Sequence, residues 1–103
     1  MFIRRVFSSA PIRIQILSKP NCCLCDQAYF QISRLVENIK AQDVEKSFQI
    51  EKINIESDPD LNDEFGLTIP VIRVNGKVVS ESGIDVPKLR KILQWRLTMD
   101  NWM

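Results

Sequence analysis

Three cysteines, Cys22, Cys23 and Cys25, fall within four consecutive positions of a 103-residue chain that contains no histidine. Without histidine there is no Ser-His or Cys-His nucleophilic pair, no HExxH zinc site and no imidazole proton shuttle. What remains is thiolate chemistry: exchange with disulfides, or binding of soft metals. Cys22 and Cys25 stand in Cys-x-x-Cys spacing after an isoleucine-rich strand and at the first turn of the helix that follows. Unpaired backbone N–H groups and the positive end of the helix dipole lie there, and both favour an anionic sulfur at Cys22. Cys25, one helical turn on, is close enough to close a disulfide with it. Lys19 adds positive charge upstream of the pair. Tetrahedral zinc asks for four ligands, more than three thiols supply. A loop this short gains little closure entropy from a purely structural disulfide. Cu(I) held by thiolates, or a cluster shared between two chains, stays open as another use of the same sulfurs. Cys23 reads as a bystander whose side chain points elsewhere on the first turn, or as a second oxidisable thiol.

The elements that must position these sulfurs are legible from periodicity. Ile12 to Ser18 alternates apolar and polar residues, a strand with a buried face. Lys19-Pro20-Asn21 breaks it. From about Cys25 the period lengthens: Leu24, Ala28, Ile32, Leu35, Val36 and Ile39 draw one apolar stripe along a helix that ends near Lys40. Phe48, Ile50, Ile53 and Ile55 predict a second strand over 48–55, parallel to the first because a helix separates them. Asp58 and Pro59 read as the N-cap and first residue of a short helix reaching about Phe65, with Gly66 as its stop. Asn75-Gly76 between β-branched runs predicts a type I′ hairpin turn. Pro70 directly precedes the hairpin, either as an ordinary trans proline at a strand start or as a cis proline in a tight turn. A terminal helix follows Pro87, its Lys88, Arg90, Lys91 and Arg96 read as a solvated basic face and its Trp95 as core or core edge.

Composition sets the outer bounds. Fourteen basic against thirteen acidic residues leave a net charge of +1, which gives no reason to expect a nucleic-acid partner. The longest apolar stretches are far short of the ~20 residues a bilayer-crossing helix needs. Residues 11–98 make one domain, with 99–103 as a tail. Residues 1–10 carry Arg4, Arg5, Ser8 and Ser9 and no acid. They read as a mitochondrial import segment, which would place the protein in the matrix, or as a frayed terminus on a cytoplasmic protein. The carboxylates between Glu56 and Glu64 do not fit a calcium loop, since Asp63 and Ile69 stand where glycine and glutamate are needed.

Lys19-Pro20-Asn21-Cys22-Cys23-Leu24-Cys25 after a strand, Thr68-Ile69-Pro70 before a hairpin, and Ser82-Gly83-Ile84-Asp85 before the last helix together resemble the glutaredoxins. The resemblance spans about residues 12–97 and is closest to the short glutaredoxin-like proteins with Cys-x-x-Cys centres. It implies an α/β, thioredoxin-like fold: a four-stranded mixed sheet with helices on both faces, in the order βαβ, short α, ββα. It implies a thiol–disulfide oxidoreductase in which Cys22 attacks and Cys25 resolves, with glutathione as reductant, no bound cofactor and no metal. Pro70 would be a cis proline facing Cys22, leaving the Ile69 backbone to pair with bound peptide or glutathione. Lys19 would bind the glycyl carboxylate of glutathione; Gly83, Ile84 and Asp85 would hold its γ-glutamyl end. Partners would be glutathione and disulfide-bearing proteins or small molecules, met by a monomer away from membranes. Three features depart from the pattern: Cys23-Leu24 replaces the usual proline–aromatic pair, Ser82-Gly83 replaces Gly-Gly, and the stretch from Glu56 to Gly66 is short. A thioredoxin-type reductant, a non-catalytic binding module and a soft-metal carrier (Cu(I) or iron–sulfur) are the alternatives.

Overall fold

The computed structural model describes residues 11–42 and 46–99, with side chains through residue 94. The possible import segment, the tail and Trp95 therefore lie outside what is described. Four strands form one sheet: β1 (Ile12–Ser18), β2 (Phe48–Asn54), β3 (Val71–Val74) and β4 (Lys77–Ser80), in the order β2-β1-β3-β4. β1 and β2 are parallel; β3 runs antiparallel to both β1 and β4. The helices are α1 (Cys23–Gln42), the short α2 (Pro59–Phe65) and α3 (Val86–Met99), with a single 3-10 turn at Ile55–Ser57.

Alternation along β1 divides the core in two. Ile12, Ile14 and Ile16 face one way, meeting Ile72 and Val74 of β3 under α1 and α3. Leu17 faces the other way and packs with Val71, Ile55 and Phe65 beneath α2. Helices thus cover both faces, and Leu17, Val71, Ile32 and Leu93 are fully enclosed. Arg90 donates to the Asn38 side chain at 3.1 Å and ties α3 to α1, so it is more than part of a solvated face. The Asn75-Gly76 turn has φ of 50° and 88°, as type I′ geometry demands. One residue more on β4 than on β3 makes a bulge beside Ile72 and Arg73.

Four local expectations are corrected. Helix α1 starts two residues before Cys25 and runs on to Gln42. Leu24 does not belong to the buried stripe: it is 57% exposed, and the inward position of the first turn is taken by Cys25, which has no exposure. Ile55 leaves the second strand and starts the 3-10 turn, whose entry is capped by the Asn54 side chain. Gly66 ends α2 without a left-handed residue. Its φ is −57°, and glycine is required instead because a Cβ would lie 2.5 Å from the Asn62 carbonyl oxygen.

Candidate active site

Residues at the end of β1 turn the chain into the helix that carries the sulfurs. Asn21 takes a left-handed conformation, φ 62°, which asparagine tolerates better than most residues. Cys22 then stands at the N-cap. Its carbonyl accepts the first helical bond from the Asp26 N–H at 3.1 Å, and its Sγ accepts from the Cys25 N–H at 3.1 Å. The sulfur occupies the place where a serine or aspartate oxygen commonly caps a helix. Cys22 and Cys25 are joined in a disulfide across a Cα–Cα distance of 5.2 Å. The two cysteines differ in access: Cys25 is fully buried, whereas Cys22 is half-buried. Cys23 is a free, exposed thiol.

The other candidate residues gather at the same end of the sheet. Pairing of Ser18 with Asn54 and of Leu17 with Val71 puts the segment after β1 next to the segment before β3. There the Ile69–Pro70 bond is cis, and Pro70 is buried. Hydrogen bonds clamp this segment. The Thr68 N–H donates to the Phe65 carbonyl at 2.9 Å, the Ser82 N–H to the Thr68 carbonyl at 2.7 Å, and the Gly83 N–H to the Pro70 carbonyl at 3.3 Å. The loop carrying Gly83, Ile84 and Asp85 is thereby fastened to both residues that flank Ile69. Among the described residues, the N–H and C=O of Ile69 itself make no hydrogen bond. Ser82 (φ 61°) and Gly83 (φ 144°) bend this loop, and the Ser80 hydroxyl donates to the Gly83 carbonyl at 3.1 Å.

Two charged candidates have structural surroundings of their own. Asp85 is the N-cap of α3: its carboxylate accepts from the Lys88 N–H at 3.1 Å and its carbonyl from the Leu89 N–H at 2.9 Å. The Lys19 ammonium lies beside Gly66 at the C-terminal end of α2, an end that favours a cation. On the flank of α1, Asp26 pairs with Lys52 of β2 at 2.6 Å, and Lys52 lies over the Tyr29 ring. Both members of that pair are well exposed, so it fixes orientation more than it stabilises. Among the described residues, no three histidine, cysteine, aspartate or glutamate side chains converge as a metal site, and no helix is long and apolar enough to cross a membrane.

Sequence reading passed over Leu67. This residue is 99% exposed in the turn leading to Ile69 and Pro70. An apolar residue between a helix-stopping glycine and a pre-proline pair was the available signal, since turns usually carry polar residues.

The sheet order, the helices on both faces and the disulfide at the first turn of α1 define a thioredoxin-like α/β protein. Solved structures agree in fold. A structural-genomics target protein from X. campestris superposes with a TM-score of 0.61 at 24% identity, covering 80% of this chain and 96% of that one. A protein of unknown function from Staphylococcus aureus gives 0.66 at 15% identity, covering 86% and 94%. Thioredoxin 1 from Thermosipho africanus gives 0.57 at 14% identity, covering 86% and 98%. None of the curated proteins matches the chain in sequence. Residues 13–100 match the family model described as Glutaredoxin-like domain (DUF836), and the chain belongs to that glutaredoxin-like family.

Proposed function

We propose that the protein is a thiol–disulfide oxidoreductase that reduces disulfides or glutathionylated thiols through Cys22 and Cys25. The observation that carries this reading is the asymmetry of the pair: a half-buried Cys22 whose sulfur receives the Cys25 N–H, linked to a Cys25 with no exposure at all. Of the bonded pair, only Cys22 is open to an incoming disulfide. In the reduced protein the Cys22 thiolate attacks one sulfur of the substrate, forming a mixed disulfide and expelling the other sulfur as a thiolate. Cys25 then attacks the Cys22 sulfur, releasing the second substrate thiolate and leaving the Cys22–Cys25 disulfide. Two electrons have passed to the substrate. Two molecules of glutathione return the pair to the dithiol and leave as glutathione disulfide. The unpaired Ile69 backbone, at the same end of the sheet as the sulfurs, supports docking of an extended substrate there.

Glutathione-coupled turnover of a small disulfide by wild type, Cys22→Ser and Cys25→Ser tests the proposal. Cys22→Ser is expected to abolish turnover. Cys25→Ser is expected to trap the mixed disulfide with protein substrates. Wild type no faster than Cys22→Ser would overturn the assignment of Cys22.

A further inference from the structure

We infer that Leu67 is a specificity-determining residue that selects disulfides carried in extended peptide segments with apolar side chains. The inference rests on the disulfide-exchange reading above. Leu67 is 99% exposed, yet it does not sit in a loose loop. On one side the Gly66 N–H is bonded to the Asn62 carbonyl at 2.9 Å, and there is no room there for a side chain. On the other, Thr68 donates to the Phe65 carbonyl through both its N–H and its hydroxyl, and its own carbonyl is taken by Ser82. A leucine fixed in water on a tethered turn gains nothing for the folded chain; its apolar surface is buried only when something docks.

The neighbouring groups specify what docks. Two residues on, Ile69 offers an unpaired N–H and C=O, the donor–acceptor pair that accepts an extended strand by main-chain hydrogen bonds. At the same end of the sheet, the first turn of α1 presents Leu24, 57% exposed, between the two redox cysteines. A peptide whose cysteine reaches Cys22 and whose backbone pairs with Ile69 places its flanking side chains against these leucines. Glutathione has no apolar side chain to lay against them, and the cap made by Asp85 draws that carboxylate toward α3.

The test measures kcat/KM for two disulfide-bearing peptides, identical except for leucine or aspartate on either side of the cysteine. They are compared in wild type, Leu67→Ser and Leu67→Met, with a small disulfide as a separate substrate. Wild type is expected to favour the leucine peptide about tenfold, the size expected from burying part of one leucine side chain. Leu67→Ser is expected to reduce that ratio to about threefold or less, and Leu67→Met to keep it, since methionine restores a comparable apolar contact. Full exposure of Leu67 means that none of these changes touches the core. Equal rates on the two peptides in wild type, or an undiminished preference in Leu67→Ser, overturn the inference alone. Wild type that reduces neither the peptides nor the small disulfide overturns the exchange reading and this inference with it.

Discussion

The Cys25 N–H donates to the Cys22 sulfur at 3.1 Å, so Cys22 is tied to Cys25 twice, by the disulfide and as the N-cap that accepts its N–H. Breaking the disulfide removes the covalent link but not that N–H. In the dithiol form it is expected to stay aimed at a sulfur at the helix N-terminus, where negative charge is favoured.

The Cys22 thiol of the reduced protein is therefore expected to titrate below the ~8.5 of an ordinary cysteine. Ultraviolet thiolate absorbance of a Cys23→Ser/Cys25→Ser protein measures it, because serine at 25 keeps the backbone donor. Alkylation of Cys22 should stay fast above its pKa and slow as the pH falls through it. The linkage has the same sign: a thiol whose folded pKa is lowered adds stability that is fully present above the unfolded-chain pKa and is lost as the pH drops through the folded value. A midpoint at or above the ordinary value would mean that the helix end does not activate the sulfur.

Ile32 lies on the buried stripe of α1 with no exposure, facing the sheet residues that carry β1 toward Cys22. Ile32→Ala is expected to cost about 2–5 kcal/mol in urea unfolding of the oxidised protein, since the removed methylenes leave a cavity between helix and sheet. A loss below about 1 kcal/mol would mean that α1 settles onto the sheet and closes the cavity.

Much of this architecture is written in local sequence. Asn75-Gly76 needs no tertiary information, because two successive left-handed residues admit few side chains. Asp58-Pro59 caps α2 for equally local reasons, with the carboxylate accepting from the Asp60 and Leu61 N–H groups. Where reading along the chain failed, the deciding partner was distant in sequence or simply absent. Leu24 fits the helical stripe, but no other element covers it, and Cys25 takes the inward place in that turn. Lys19 is near Cys22 in sequence, yet its ammonium lies at the end of α2, brought there by β2 and the 3-10 turn. The unpaired Ile69 backbone depends on a loop beginning at Ser82, which no pattern within Thr68-Ile69-Pro70 announces.

Asp85 separates a structural role from a binding role. As N-cap of α3 it is expected to lose about 1 kcal/mol on Asp85→Ala, measured by denaturant unfolding. Asp85→Asn keeps a capping oxygen and should leave stability within about 0.5 kcal/mol. If the carboxylate also holds the ammonium of a γ-glutamyl group, Asp85→Asn will raise the KM for glutathione while stability stays level. An unchanged KM would restrict Asp85 to its cap.

Gly66 and Gly76 oppose a side chain for different reasons, and the same substitution distinguishes them. At Gly76 nothing lies within 4 Å of a Cβ, but φ is 88°. Gly76→Ala is therefore expected to cost about 1 kcal/mol through backbone strain alone, confined to a hairpin turn remote from the sulfurs. At Gly66 the backbone is ordinary, φ −57°, and the obstacle is the Asn62 carbonyl 2.5 Å from where a Cβ would stand. Gly66→Ala can be accommodated only if the Gly66 N–H bond to Asn62 lengthens and the turn carrying Leu67 shifts. Such a shift propagates through Thr68 to Ile69, because hydrogen bonds fasten Thr68 on both sides. Gly66→Ala is thus expected to lose about 1–3 kcal/mol of stability and several-fold in kcat/KM on peptide disulfides, whereas Gly76→Ala loses stability only. Equal effects of the two substitutions on peptide reduction would show that the position of the Leu67 turn is not coupled to the site.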